Sequence, residues 1–142
     1  MSDRFRAALA VAALVACSHP PPDSTPVGAL RLFLEDMEAA DEDPRVMRHA
    51  YDLLGPAARA NLEERARRAT RAQGRQVAPW EMLAAGRFGL AFRPNPKTMR
   101  EARVGDRATV EVLGADPAAE HASVVCVREA AGWRVEPQLP DP

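Results

Sequence analysis

The sequence predicts an α+β fold, in which helices come first and an antiparallel β-sheet follows. Between residues 26 and 86, apolar residues recur at spacings of three and four, as on one face of a helix. After Gly86, apolar and polar residues alternate, as in half-buried strands. This change of period happens once and the chain has no internal repeat, so residues 27–142 are expected to form a single domain.

Four helices are expected, and each begins at a proline, whose fixed φ suits the first helical position. The first starts at Pro26 behind a Ser24 or Thr25 cap and ends in the acidic stretch 41–43. The second starts at Pro44 with Asp43 as its cap, the third runs from Pro56 to a cap at Gly74, and a short fourth runs from Pro79 to near Gly86.

At least four strands are expected after the helices. Residues 98–104 and 107–113 flank Gly105-Asp106, which is typical of a two-residue hairpin turn. A third strand is predicted near 122–129 and a fourth at 133–135, joined through the turn 130–132. Residues 88–92 are a further candidate strand.

The N-terminus has the composition of a targeting segment. Arg4 and Arg6 precede an uncharged run over residues 7–16, which is shorter than the roughly 20 residues that span a bilayer. The run ends in Leu14-Val15-Ala16-Cys17. This motif resembles the lipobox of bacterial lipoproteins, which implies cleavage after residue 16 and a diacylglyceryl thioether on Cys17. The alternative is an ordinary secreted protein whose cleavage site contains a cysteine.

Residues 17–26 are expected to form a tether between the lipid and the domain. Three consecutive prolines follow His19 and favour extended polyproline II. An extended tether holds the domain about 20–30 Å from the lipid. The lipoprotein resemblance therefore implies a bacterial envelope protein that is lipid-anchored to a membrane and faces the periplasm or the exterior.

The composition excludes some function classes. The 142 residues carry 19 basic and 20 acidic side chains, which argues against a histone-like basic protein or an acidic solvating tail. No nucleic-acid partner is expected outside the cytoplasm. Arginine outnumbers lysine 18 to one and isoleucine is absent, a bias typical of a GC-rich genome. Alanine accounts for 28 residues, so the core is expected to be small.

The helix-then-hairpin order resembles the nuclear-transport-factor-2-like superfamily and, within it, uncharacterised bacterial lipoproteins. The resemblance rests on the hairpin sequences at residues 105–112 and 127–135, which include Gly132-Trp133. It implies a curved, cone-like sheet around the helices. It implies no function, because hairpin motifs specify a fold and not a site.

Catalytic candidates are few in this sequence. His49 and Asp52 lie three residues apart on one helix face, which allows a histidine activated by a carboxylate, as in a cone-fold isomerase or dehydratase. The alternative is a surface ion pair. His121 is expected to be solvated in a polar loop.

No cofactor or metal site is predicted. The histidines His19, His49 and His121 are far apart, and the chain has no Cys-x-x-Cys spacing and no phosphate or dinucleotide loop. Cys126 lies in a β-rich run and is expected to be a buried, inert thiol.

The expected function is binding of a small apolar ligand or a protein partner by a membrane-anchored domain, with a structural envelope component as a further alternative. Candidate pocket residues are the large apolar side chains, which alternatively form the core. They are Tyr51, Trp80, Met82, Phe88, Phe92 and Trp133. The third helix carries five arginines, Arg65, Arg67, Arg68, Arg71 and Arg75. These arginines could bind anionic lipid headgroups beside the anchor. The alternative is a solvated helix face with the ion pairs Glu63–Arg67 and Glu64–Arg68.

Overall fold

The computed structural model describes residues 19–40, 43–84, 90 and 92–142. The described residues form four helices and a four-stranded antiparallel sheet, so the predicted α+β class is confirmed. The helices are α1 (Pro26–Ala39), α2 (Pro44–Asp52), α3 (Pro56–Gln73) and α4 (Glu81–Ala84). The strands are β1 (Arg100–Val104), β2 (Arg107–Leu113), β3 (His121–Glu129) and β4 (Gly132–Glu136). Single 3-10 turns lie at Pro22–Ser24 and Pro96–Thr98.

The helix ends have the capping groups that the sequence predicts. The Thr25 hydroxyl accepts a hydrogen bond from the Gly28 N–H at 3.0 Å, and the Asp43 carboxylate accepts one from the Arg45 N–H at 2.9 Å. Gly74 ends α3 with a φ of 66°, a conformation that glycine adopts without steric penalty. Local sequence therefore determines where these helices start and stop.

The strands form a meander in the order β1-β2-β3-β4. Gly105-Asp106 is the two-residue turn between β1 and β2, with Gly105 at a φ of 60°, as the first central position of a type II′ turn requires. Ala130-Ala131 forms the turn between β3 and β4, and Gly132 takes the positive φ there, 146°.

The core lies between α1 and one face of the sheet. On β2 the side chains alternate strictly, and Ala108, Val110 and Val112 are buried. Cys126, Trp133 and Val135 continue this face across β3 and β4. The main helical contributions are Leu30, Phe33 and Leu62, and Leu54 in the connection between α2 and α3 adds to them.

Two sheet carboxylates cap helices that are distant in sequence. Glu101 on β1 accepts a hydrogen bond from the Val27 N–H in the first turn of α1 at 3.1 Å. Glu136 on β4 accepts from the N–H groups of Ala57 and Ala58 in the first turn of α3, at 3.0 and 2.9 Å. Each carboxylate satisfies donors that have no partner inside the helix, and its charge complements the helix dipole.

The outer edge of β4 is covered by the connection between α2 and α3. Gly55 N–H donates to Val135 C=O, and Val135 N–H donates to Leu53 C=O, both at 2.8 Å. This short parallel bridge protects an edge strand from pairing with another chain.

The structure differs from the sequence predictions in three places. The predicted tether is not extended at Pro22–Ser24, which forms a 3-10 turn. The fourth helix starts at Glu81 and not at Pro79, because residues 78–83 make tighter hydrogen bonds between residues three apart, and its predicted end near Gly86 lies outside the described residues. His121 begins β3 instead of lying in a loop, although its side chain is exposed as expected.

Some predictions concern residues that the structure does not describe. The segment 1–16 and Cys17 lie outside the described residues, as does most of the candidate strand 88–92. The described members of that strand, Leu90 and Phe92, are not in a β-strand.

Candidate functional site

His49 is paired with a carboxylate, but the carboxylate is not Asp52. The His49 Nδ1 atom lies 2.6 Å from Asp36 Oδ2, which places the pair between α2 and α1. Asp52 is exposed, and the 54% exposed His49 side chain is open to solvent. The predicted His49–Asp52 pair is therefore replaced by a contact between two helices.

The His49–Asp36 pair lacks the surroundings of an acid–base site. Neither residue lines the three grooves described below. A general base needs a substrate within hydrogen-bond reach, usually in a cleft that excludes water. As it stands, the pair can link α1 to α2 through one charged hydrogen bond.

Tyr51 forms part of a polar contact between α2 and α3. Its hydroxyl donates a hydrogen bond to Glu63 Oε1 at 3.2 Å. Partial burial raises the pKa of Tyr51, and the nearby charge of Glu63 raises it further. The phenol therefore stays protonated at neutral pH.

The large apolar candidates do not converge on one pocket. Trp133 is 2% exposed and lies in the core, with the Arg103 guanidinium 5.4 Å from its ring centroid. Trp80 is half-buried elsewhere, with the Arg48 guanidinium 5.1 Å from its ring centroid. Both contacts are cation–π geometries, and they cover ring faces that a ligand would otherwise use.

The remaining pocket candidates are similarly dispersed. Met82 and Phe92 pack against the outside of the core as partly buried side chains. Phe92 lies beside Gly114, where a Cβ atom would be 2.8 Å from its ring. Phe88 lies outside the described residues.

Cys126 is fully buried, as the sequence predicts. Its thiol lies 3.8 Å from the Pro26 carbonyl oxygen. Burial raises the pKa of Cys126 to about 12, and the charges of Glu101 and Glu136 contribute in the same direction. A thiol that stays protonated is a poor nucleophile and a poor metal ligand.

The charged face of α3 is organised differently from the predicted pairs. Glu64 binds both Arg67 and Arg68, at 2.9 and 3.0 Å from their Nε atoms, and these contacts lower the pKa of Glu64. Glu63 instead accepts from Tyr51. The predicted Glu64–Arg68 pair is therefore confirmed, whereas the Glu63–Arg67 pair is wrong.

Two other arginines of α3, and Arg75 just after its C-cap, have distinct surroundings. Arg65 donates to the Pro140 carbonyl at 2.6 Å and so fastens the segment after β4 to the helix. Arg75 bonds Glu81 at 2.9 Å. With the described residues, Arg71 makes neither a side-chain hydrogen bond nor an ion pair.

An open groove of about 500 Å³ lies along the C-terminal half of α3. We call it the α3 groove. It forms because the chain turns at Gly74 and returns along the helix, where the Val77 N–H donates to the Thr70 hydroxyl at 3.0 Å. Its lining residues are Glu63, Ala66, Arg67, Thr70, Arg71, Gln76, Val77 and Pro79. The groove is not among the sites predicted from the sequence, although the turn at Gly74 and the proline at position 79 are its local signals.

Two smaller grooves of about 310 Å³ each follow the exposed side of α1. One lies against residues 93–99 and the other against Pro20–Pro22, and both include Arg31 and Glu35. Arg93 bridges the first groove with an ion pair to Glu38 at 3.0 Å. Charged side chains therefore lie at the rims of both grooves.

Two classes of feature are absent from the described ranges. Among them no three histidine, cysteine, aspartate or glutamate side chains cluster as metal ligands. In the same part of the chain no helix combines the length and apolar character that crossing a bilayer requires.

In comparisons with known proteins, no family model, no curated protein and no solved structure matches this chain.

Proposed function

We propose that this chain is a lipid-anchored protein of the bacterial cell envelope, whose folded domain binds a protein partner without catalysing a reaction. The observation that carries the proposal is the apolar run that ends in Leu14-Val15-Ala16-Cys17. A diacylglyceryl group on Cys17 supplies two acyl chains, and two chains anchor a protein stably where one does not.

The non-catalytic part of the proposal is supported by the placement of the titratable groups. His49 and Asp36 pair at a half-exposed surface, and the Cys126 thiol stays protonated inside the core. An isomerase or dehydratase that uses His49 or Asp52 needs both groups at one water-excluding cavity. The described residues offer no such arrangement, so we do not favour this alternative.

A protein partner is favoured over a small apolar ligand because of the α3 groove. Apolar ligands need enclosed pockets with mostly apolar walls, whereas this groove is open and has Arg67 and Arg71 at its rim. Buried Ala66 and Val77 provide an apolar floor. An apolar floor with a polar rim suits an extended protein segment that carries acidic side chains.

A purely structural role in the envelope has less support. Such a role requires a contiguous exposed apolar patch. Among the described residues, Val104 is the exposed large apolar side chain, at 83%. A single valine does not form a patch.

The proposal includes the cone-like shape expected from the resemblance to the nuclear-transport-factor-2-like superfamily. It is supported by the order of four helices before the hairpins, and by α1 packing on the apolar face of the meander. Both features suit a sheet that curves around a helix. An experimental structure of residues 22–142 tests this, since a flat sheet would contradict a cone.

The anchor is tested by substituting each of the two cysteines. Cys17→Ser should abolish incorporation of a labelled fatty acid and move the protein out of the membrane fraction. Cys126→Ala, the matched control, should keep both properties, because the Cys126 side chain is fully buried. Fatty-acid labelling and membrane retention of Cys17→Ser would refute the anchor.

The α3 groove is tested by photo-crosslinking in cells. A photoreactive residue at Gln76, in the groove, should give a discrete protein adduct, and one at exposed Thr109 on β2 should not. Arg71→Ala should weaken the Gln76 adduct, because it removes a rim cation. An equal adduct from both positions, or none from Gln76, would contradict a partner in this groove.

A further inference from the structure

The 3-10 turn Pro22–Ser24 packs closely against two glycines from different parts of the fold, Gly28 and Gly132. A Cβ atom at Gly28 of α1 would lie 1.8 Å from the Pro22 carbonyl oxygen. A Cβ atom at Gly132 of β4 would lie 2.9 Å from the Asp23 carbonyl oxygen. Any larger side chain at these positions displaces the turn, so both glycines form a seat for it.

A partly buried ion network holds the turn in this seat. Arg134 Nη1 lies 2.7 Å from Asp23 Oδ2, and the two side chains are only 11% and 18% exposed. Arg134 Nε also lies 3.7 Å from Glu129, which binds Arg59 of α3 at 2.7 Å. Shielding from solvent makes such a network stronger than isolated surface pairs.

The residues that follow the turn are part of the core. Pro26 is fully buried, and its carbonyl lies against the Cys126 thiol. Thr25 caps α1 through the Gly28 N–H. Residues 22–26 therefore belong to the folded domain, and only residues 18–21 remain between the proposed lipid anchor and the fold.

We propose that Pro22–Pro26, seated on Gly28 and Gly132 and fastened by Arg134, is a latch that holds the domain directly against the lipid surface. This inference rests on the proposed lipid anchor at Cys17. Five residue steps from Cys17 to Pro22 span at most about 17 Å. Opening the latch as far as Pro26 adds four steps and raises the reach by up to about 14 Å.

The latch also determines which side of the domain meets the membrane. Pro20 and Pro21 line the groove beside Arg31 and Glu35 of α1. Three residue steps from Cys17 to Pro20 span about 10 Å at most. The N-terminal half of α1 and the adjoining β3–β4 turn are therefore the surfaces closest to the lipid headgroups.

The experiment uses the lipidated full chain in vesicles of phosphatidylethanolamine and phosphatidylglycerol. A fluorophore is placed on a cysteine introduced at exposed Ala130, in the β3–β4 turn beside the latch. Cys126 does not compete for the label, because it is fully buried. A nitroxide on the lipid headgroup, which quenches only at short range, reports the distance to the bilayer.

With the latch closed, the headgroup nitroxide should quench the fluorophore strongly. Arg134→Gln and the milder Asp23→Asn should each reduce this quenching. Inserting four Gly/Ser residues between Ser18 and His19 supplies the same extra reach with the latch intact, and should reduce quenching to the level of Arg134→Gln. Arg45→Gln, which removes an exposed ion pair with Asp43 at the start of α2, is the control that should leave quenching unchanged.

Quenching that stays at the starting level in both latch variants would overturn the latch, and so would quenching that is insensitive to the insertion. Either result leaves the anchor standing, provided that the protein floats with the vesicles. If the protein purified from membranes carries no lipid and does not float, the anchor itself is refuted and the latch proposal with it. The flotation step therefore distinguishes the two failures.

Discussion

Removing the carboxylate of Glu136 should destabilise the domain at a point that joins the sheet to α3. This side chain lies on β4 and accepts hydrogen bonds from the N–H groups of Ala57 and Ala58, at 3.0 and 2.9 Å. Gly55, the residue at the helix cap, has no side chain that can cap α3. Glu136→Ala therefore leaves the first turn of α3 without its acceptor.

The expected loss of unfolding free energy is the sum of two effects of the Glu136 carboxylate. Loss of a helix N-cap acceptor costs about 0.5–2 kcal/mol. Loss of a negative charge at a helix N-terminus costs about 0.3–1 kcal/mol more. Glu136→Ala should thus lower the free energy of unfolding by about 1–3 kcal/mol, and Glu136→Gln by about half as much, because the amide keeps one acceptor oxygen.

Urea unfolding followed by far-UV circular dichroism measures this loss, with Glu111→Ala as a control on an exposed position of β2. A double-mutant cycle with Gly55 sharpens the test. A Cβ atom at Gly55 would lie 2.3 Å from the Glu136 carboxylate, so Gly55→Ala should displace that carboxylate in the parent chain. In the Glu136→Ala background, Gly55→Ala should have almost no effect on stability.

Two results would refute this account. If Glu136→Ala costs no more than Glu111→Ala, the carboxylate does not stabilise α3. If the effects of Gly55→Ala and Glu136→Ala are simply additive, the two residues do not compete for the same space.

Three further outcomes are expected. The pKa of the Cys126 thiol is about 12 in the folded chain and about 8.5 in the unfolded chain. The stability that the buried, protonated thiol contributes is therefore complete below pH 8.5 and declines as the pH rises toward 12. The free energy of unfolding should fall by up to about 1.4 kcal/mol per pH unit in this range. Urea midpoints at pH 7.5 and 10 measure this decline, and Cys126→Ala should reduce it. Spectrophotometric titration of Tyr51, the one tyrosine in the chain, should give a midpoint above 10 that Glu63→Gln lowers. Glu64→Gln should leave the urea midpoint unchanged, because the ion pairs of Glu64 with Arg67 and Arg68 lie on an exposed helix face. A clear decrease in the midpoint would show that these two ion pairs are stronger than surface pairs usually are.

The sequence predicts those parts of the fold that depend on local chemistry. Prolines at the first helical position, Thr25 and Asp43 as caps, and the glycine at position 105 each act within a few residues. For that reason the starts of α1, α2 and α3 and the hairpin turns are predicted correctly, whereas α4 starts at Glu81 and not at the predicted Pro79. The burial of Cys126 follows similarly from its β-rich neighbours.

The contacts that organise the candidate surfaces join residues distant in sequence. Glu136 lies 78 positions from Ala58, and Arg134 lies 111 positions from Asp23. Spacing along the chain carries no signal for such pairs, because they depend on how the elements pack. His49 illustrates the same point, since packing of α2 on α1 gives it Asp36 in place of its neighbour on the helix.

Mass spectrometry of the N-terminus of the mature protein, extracted from membranes, is the direct test of the lipid anchor on Cys17. We expect a chain that begins at Cys17 and carries a thioether-linked diacylglyceryl group on its sulfur, with Cys126 unmodified. Cys17 without lipid, in a chain that is either uncleaved or cleaved at another position, would contradict the lipid anchor and the close membrane contact inferred from the latch.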